Sequence, residues 1–493
     1  MQTSTAHGFP DWLGRNPIAI FWLLGFFAAA CFSFAAYTET RILYLLPLAI
    51  PVVLAMIFNI RTLYYVLLLV LPFSVEMTFG NFGTDLPSEP IVITLAGFTV
   101  VYFILRRPSL DQSKQYKPIL ALVALHLAWV FIAMVFSMNF FTSLKFFVAK
   151  CWYLLTFFML TSLLVNSRAK FLAWFWCLCI PTVFSVLIIL GKHASFGFTF
   201  DTINKAVDPI YRNHVNYGVF ISMFLPFLFL ARSWYAKGSL LRLFLQVAIV
   251  CVLAAIYFTY TRGAWLAVIA MPVYYLVIRF RLTKVVLAAA VLSVFLFAAY
   301  ILHDRTYLKH APNYETTIYH EELGEHLTST LEMEDMSTVE RFYRWLAAVK
   351  MYRAHALYGV GPGNFVSYYK PYTVSAYETY ISENEERSTV HNYFLLLLTE
   401  QGIPALILFC ILIAVVLISA EKMYHQAPTN YEQHIILAIA LSLSAFIINN
   451  SLSDLVEANK VGSLFWMNLA LLYNRFWKTV SGKPLKKIWL SAR

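Results

Sequence analysis

The chain has 493 residues, 60% hydrophobic and 13% charged, whereas an ordinary soluble domain carries about 25% charged residues. So little charge cannot solvate a surface of that size, which excludes a soluble enzyme and makes this an integral membrane protein. The net charge of +11 does not indicate a nucleic-acid partner, because the basic residues sit in short links between apolar segments and no soluble basic domain exists to hold a duplex.

Apolar windows fall at 18–36, 42–58, 62–75, 91–105, 118–137, 146–165, 168–190, 215–231, 241–260, 263–280, 284–301, 391–420, 433–450 and 461–477. Several early windows are shorter than the roughly 20 residues a span needs, so two of them can form one kinked or re-entrant unit. The expected fold is an all-α polytopic membrane protein of about 12–14 transmembrane helices. Residues 1–301 form the first part of the bundle, 302–390 a large outer loop, 391–477 the last part of the bundle, and 478–493 a basic tail. Met1 to Pro17 is polar without a basic cluster and the first window runs on as a span, so the N-terminus is expected to stay attached.

Lysine and arginine set the orientation, because positive charge resists transfer out of the cytoplasm. With the N-terminus inside, the inner links carry Arg106, Arg107, Lys114 and Lys117, then Arg168 and Lys170, then Arg232, Lys237 and Arg242, then Arg279, Arg281 and Lys284. The tail adds Lys478, Lys483, Lys486 and Lys487, so both termini are expected in the cytoplasm. The outer links are then Val75 to Pro90, Gly191 to His214, and the 89 residues from Leu302 to Val390. Thirteen of the 26 acidic residues lie between Asp304 and Glu386, so charge is sorted across the membrane.

Within the long loop, Ser337 to Leu357 places Phe342, Trp345, Leu346, Val349 and Tyr352 at helical spacing after a Ser337/Glu340 capping box. This predicts an amphipathic helix ending at Gly359-Val360-Gly361-Pro362-Gly363, where the glycines allow positive φ and the proline forbids continuation. The helix can lie on the outer leaflet, close over the bundle as a lid, or cover the loop's own small core. Glu378 to Arg387 has no apolar periodicity and is expected to be mobile. The six cysteines all lie in apolar windows as small hydrophobes, and Cys177 and Cys179, two apart on a helix, point to different faces. Neither a disulfide frame nor a metal site is expected.

Three places carry candidate chemistry at the outer edge. Arg262, in TRGAWLA (261–267), works against the positive-inside bias and needs a headgroup, a carboxylate or a bound anion; its planar guanidinium suits phosphate, and plain interfacial snorkelling is the alternative. His391 opens HNYFLLLLTEQGIPAL (391–406) with a near-neutral imidazole fit for a general base, and Asn392 and Glu400 follow it, Glu400 well below by two and a half turns. Gln401 to Pro404 predicts a helix break. The third is Tyr211 to Tyr217, with Arg212 the stronger cation and His214 beside it. Arg341, Arg344 and Arg353 on the loop helix are secondary anion contacts or, more simply, a solvated charged face.

TRGAWLA, GVGPGNF (359–365) and HNYFLLLLTEQGIPAL, in that order around a large outer loop, resemble the O-antigen ligase and polymerase superfamily over roughly residues 205–410. The resemblance implies a bacterial inner-membrane glycosyltransferase whose active site faces the periplasm. Its donor would be a glycan on undecaprenyl diphosphate and its acceptor lipid A-core or another glycan, with neither cofactor nor metal. It also implies that Arg262 and Arg212 bind the diphosphate and stabilise the leaving group, and that His391 deprotonates the acceptor hydroxyl for direct, inverting attack. A polymerase or a protein O-oligosaccharyltransferase would share these motifs and differ in acceptor. A polysaccharide transporter is a different class, disfavoured because neither paired repeats nor midplane helix breaks are evident. Metal-dependent transfer is disfavoured because no Asp-x-Asp pair occurs in an outer loop; Glu332, Glu334 and Asp335 read as solvated charge.

Overall fold

Lipid offers a peptide group no hydrogen-bond partner, so an apolar run that crosses it closes its own bonds as a helix. The computed structural model, which describes residues 60–79, 82–106, 117–303, 336–377, 382, 384 and 388–474, is an all-α polytopic membrane protein: among the described residues ten helices are long and apolar enough to cross a membrane. The chain divides into two units, Met1–Val66 and Leu67–Arg493, and the second carries everything below except Ile60–Val66.

In chain order the elements are α1 Ile60–Val70, the strands β1 Val75–Phe79 and β2 Phe82–Leu86, α2 Ser88–Arg106, α3 Lys117–Val135 and α4 Phe140–Tyr153, which runs on through a wider turn to Leu164. Next come α5 Arg168–Ser195, α6 Phe200–Val207, α7 His214–Arg232, α8 Leu240–Phe258, α9 Arg262–Arg279 and α10 Thr283–Leu302. The last are α11 Met336–Ala354, α12 Phe365–Tyr368, α13 Tyr393–Gln426, α14 Asn430–Asn450 and α15 Asn459–Asn474. Helix starts follow local chemistry. The side chains of Asn139, Ser167, Asn213, Ser239, Asn392 and Thr429 each accept an N–H from the first turn of the helix they open.

The apolar windows from 91–105 through 433–450 each correspond to one long helix. Windows 62–75 and 461–477 give the shorter α1 and α15, the latter buried along its whole length. Windows 18–36 and 42–58, the acidic residues of 304–335, most of Glu378 to Arg387, and the tail 478–493 lie outside the described residues. The sequence reading did not anticipate the β1–β2 hairpin, paired antiparallel with Val75 opposite Leu86.

Helix α7 forms the centre, with 78% of its span buried, and packs on α8, α14 and α15. At the other extreme α10 is only 6% buried and presents apolar side chains all round, as a lipid-facing helix does. Alternating helix directions gather the starts of α7, α9 and α13 at one end with the finishes of α8 and α14. The opposite end holds the basic links with Arg168, Arg232, Lys237, Arg279, Arg281 and Lys284.

The predicted loop helix Ser337–Leu357 is α11, one residue earlier at its start and three shorter at its end. Of the placements open to it, the structure shows it packed on α13, with Val339, Phe342, Tyr343, Leu346 and Ala347 buried and the Trp345 indole N–H donating to the Val390 carbonyl at 3.1 Å. The glycine turn after it locks into the break in α13. Val360 N and Gly361 N donate to the Thr399 and Glu400 carbonyls at 2.9 and 2.8 Å, and Ile403 N donates to the Ala356 carbonyl at 3.0 Å. Such an approach excludes side chains: a Cβ on Gly359 would lie 2.3 Å from the Glu400 carbonyl carbon, and one on Gly402, at φ 75°, would lie 2.0 Å from the Leu357 oxygen.

Candidate functional site

His391 precedes the first turn of α13 with φ 55°, a left-handed conformation that costs a non-glycine residue energy and persists only where surroundings enforce it. Contacts of four neighbouring residues do so. Val390 is held by Trp345 of α11. Thr389 donates its hydroxyl to Asp454. Asn392 accepts the Leu395 N–H at 3.1 Å as helix cap and donates its amide to the Ser451 carbonyl at 3.0 Å. The Tyr393 N–H donates to the Ser453 carbonyl at 3.0 Å. The backbone on both sides of His391 is therefore fixed between α11 and the 451–454 link that follows α14.

Arg262 is the first residue of α9, separated by Thr261 from a second left-handed residue, Tyr260 at φ 54°. That tight turn is built by Thr261, whose hydroxyl donates to the His214 carbonyl at 3.3 Å, and by Tyr260, whose hydroxyl donates to the Phe198 carbonyl at 2.6 Å. Gly263 lies against the end of α14: a Cβ there would sit 2.9 Å from Asn449 Oδ1. The small residue of the TRG motif thus lets Arg262 stand beside the same α14 end that receives Asn392.

His214 opens α7. Asn204 Oδ1 accepts both the His214 backbone N–H at 3.1 Å and its Nδ1–H at 2.9 Å, which places the ring proton on Nδ1 and leaves Nε2 as an acceptor. Arg212 is exposed, with Nε 3.9 Å from Glu76 Oε2 of β1. The segment before it is pinned from below. Lys192 donates to the Asp208 carbonyl at 2.5 Å, and Lys460 donates to the carbonyls of Ser74, at 2.9 Å, and Ile210 while lying 3.9 Å from the centre of the Tyr211 ring.

Charge converges on these groups. Burial, with Arg341 and Arg344 beyond it, holds the His391 imidazole at about 3, from an ordinary 6.5. Burial pushes the Asp454 carboxyl from 3.8 up to about 7, opposed by its backbone hydrogen bond and by the fields of Arg344 and Arg212. Arg341 acts electrostatically on His214 as well as His391, so both histidines, Asp454 and the three arginines share one field. The expectation of a solvated charged face on the loop helix is corrected here. The Arg344 side chain is 7% exposed and pairs with Glu340 at 3.2 Å, Arg341 is half-buried, and only Arg353 is exposed. The reason is that α11 lies over the bundle, which turns its arginine face inward.

Glu400 plays no part near His391. Its carboxylate accepts Gly363 N at 2.8 Å and Phe365 N at 2.9 Å, so it fastens the glycine turn. Among the described residues no group of three or more His, Cys, Asp or Glu side chains is placed to hold a metal; Glu332, Glu334 and Asp335 lie outside them. Sequence reasoning missed Asp454 and the neighbouring Glu457. Their signal was present: two carboxylates and Lys460 in the short link SLSDLVEANK between apolar windows.

Residues 247–410 match the protein family described as O-antigen ligase. That segment runs from α8 through the TRG turn, α11 and the glycine turn to the break in α13, so it includes Arg262, Arg341, Arg344 and His391 but neither Arg212 nor Asp454. No match to a curated protein was found.

Proposed function

We propose that this protein transfers a glycan from undecaprenyl diphosphate to a hydroxyl of a lipid A-core acceptor, at the periplasmic face of a bacterial inner membrane. The observation that carries the reading is the convergence, at one end of the bundle, of a neutral, half-buried histidine with arginines from three separate elements: Arg212 before α7, Arg262 at the start of α9, and Arg341 and Arg344 on α11. The family match over 247–410 supplies the reaction class, glycan transfer from a lipid-linked donor. In this reading the basic ends of the helices face the cytoplasm and the site faces the periplasm.

Arg262 and Arg212 bind the diphosphate. A guanidinium donates two parallel hydrogen bonds to phosphate and, fixed beforehand, stabilises the charge that grows on the leaving group without reorganisation in the transition state. His391 takes the acceptor hydroxyl proton through a ring nitrogen, the oxygen attacks the anomeric carbon, and the carrier diphosphate leaves from the opposite face, inverting the centre. Arg341 and Arg344 add positive field over the donor. Burial and, after it, their proximity keep His391 unprotonated while the site is empty, and the bound diphosphate, by offsetting the arginines, strengthens the base when it is needed. Asn392 positions the imidazole and His214 offers Nε2 to a substrate hydroxyl.

Reconstitution of the purified protein with carrier-linked glycan and candidate acceptors tests this. Wild-type protein should transfer glycan to lipid A-core and retain activity in EDTA, while Arg262→Ala and His391→Ala should remain folded and inactive. Wild-type transfer by either variant would remove that residue from the mechanism. In cells, loss of a ligase accumulates polymerised carrier-linked glycan; cores bearing a single repeat would instead identify a polymerase.

A further inference from the structure

Three polar groups, Lys150 and Tyr393 buried and Glu457 partly exposed, meet without a part in the chemistry above. Lys150, in the middle of α4 with its side chain 1% exposed, places Nζ 2.5 Å from Glu457 Oε1. It also donates to the Tyr393 hydroxyl at 3.3 Å, and that hydroxyl donates to the same Glu457 oxygen at 3.1 Å, closing a triangle. The rings of Phe146, Tyr393 and Trp466 surround the ammonium, with centres 5.5, 5.9 and 5.8 Å away. A lysine buried within an apolar span is expensive, and an ion pair whose carboxylate stays partly exposed returns little stability, so the triangle calls for a reason other than stability.

Its position supplies one. Tyr393 lies two residues after His391, and its N–H, with the Asn392 amide and the Thr389 hydroxyl, binds the 451–454 link. Glu457 stands at the other end of that link, so Lys150 fastens the link and the His391 strap to one point on α4. Three residues further on, Lys460 holds the Ser74 and Ile210 carbonyls and lies over Tyr211, which fixes the segment carrying Arg212. The same ten residues thus touch the supports of the proposed base on one side and of a proposed diphosphate ligand on the other.

We propose that residues 451–460 are a template that sets His391 against Arg212, locked by Lys150, Glu457 and Tyr393 on the histidine side and by Lys460 on the arginine side. All four are positioning residues. The proposal rests on the roles assigned above to His391 and Arg212.

The test is steady-state kinetics of the full-length protein in detergent or liposomes, with purified carrier-linked glycan as donor. Tyr393→Phe keeps the ring packed 5.0 Å from Phe409 and removes only the hydroxyl. It and Glu457→Gln should lower kcat about tenfold or more with donor KM little changed, because displacement of a base by an ångström costs rate rather than binding. Lys460→Met should instead raise donor KM. Because Lys150→Met alone strips the partly exposed Glu457 carboxylate of its cation and can lower folded yield, Lys150→Met with Glu457→Leu is the second variant: it should recover folded yield and still show low kcat. Recovery of wild-type kcat in the double variant, or wild-type kcat in Tyr393→Phe, would overturn the proposal. His391→Ala is run beside them. If it is inactive while the triangle variants keep full kcat, the positioning proposal alone fails; if it is active, the assignment of the base fails instead.

Discussion

Asn392 does two jobs that substitution can separate. Its Oδ1 caps α13 through Leu395 N at 3.1 Å, and its Nδ2 tethers the strap to the Ser451 carbonyl at 3.0 Å. Loss of a cap costs about 1 kcal/mol, and loss of a hydrogen bond to a half-buried carbonyl costs about 1 kcal/mol more. Asn392→Ala should therefore lose roughly 2 kcal/mol of stability, whereas Asn392→Ser, which caps but cannot reach Ser451, should lose about half of that. Rate should follow a different rule. The left-handed backbone at His391 stores of order 1 kcal/mol or more, and without the tether it relaxes and swings the imidazole. Misplacement by about 1 Å is worth up to a hundredfold, so both variants should lose about 10- to 100-fold in kcat despite their unequal stabilities. Thermal denaturation of purified protein in detergent gives the first quantity, and single-turnover transfer with saturating donor gives the second. Wild-type kcat in Asn392→Ser would refute the claim that the tether positions His391.

The two titrating groups predict pH behaviour with definite signs. His391 is held at about 3 in the empty site, so the acid limb of kcat/KM, which reports the free enzyme, should lie well below the ordinary 6.5 of histidine. The limb of kcat should lie higher, because bound diphosphate offsets Arg341 and Arg344; coincident limbs would count against that effect. Asp454, raised to about 7, costs stability as it ionises in the folded state, so stability should fall as pH rises from about 4 through 7, and Asp454→Asn should flatten the fall. Gly402→Ala combines φ 75° with a Cβ 2.0 Å from the Leu357 oxygen, so it should destabilise by about 2–4 kcal/mol, seen as lower folded yield and denaturation midpoint. Arg344→Gln with Glu340→Gln removes the buried pair without stranding a carboxylate; donor KM should rise about tenfold, the worth of one charge-assisted contact, with the protein still folded.

Most of the spans were legible in sequence because burial in lipid is decided window by window: apolar length sets a span, Asn213 or Thr429 opens a helix, and glycines with Pro362 end one. Arg262 and His391 were legible for the same local reason, since a cation or imidazole at the edge of an apolar run is conspicuous wherever the run packs. Neighbourhood is a different kind of information. Nothing within a window says that the end of α14 touches both Gly263 and the Asn392 strap, that α11 turns Arg344 inward, or that Lys150 finds Glu457 more than 300 residues along the chain. Those facts depend on which helix ends meet, and hydrophobic windows of similar length and composition do not encode their partners. The amino-acid sequence by itself determined the membrane class, most of the spans and the candidate base and cations. Only tertiary packing decided that His391 and Arg212 share one field with Arg341, Arg344 and Asp454, because electrostatic coupling acts through distances of a few ångströms that no spacing along the chain specifies.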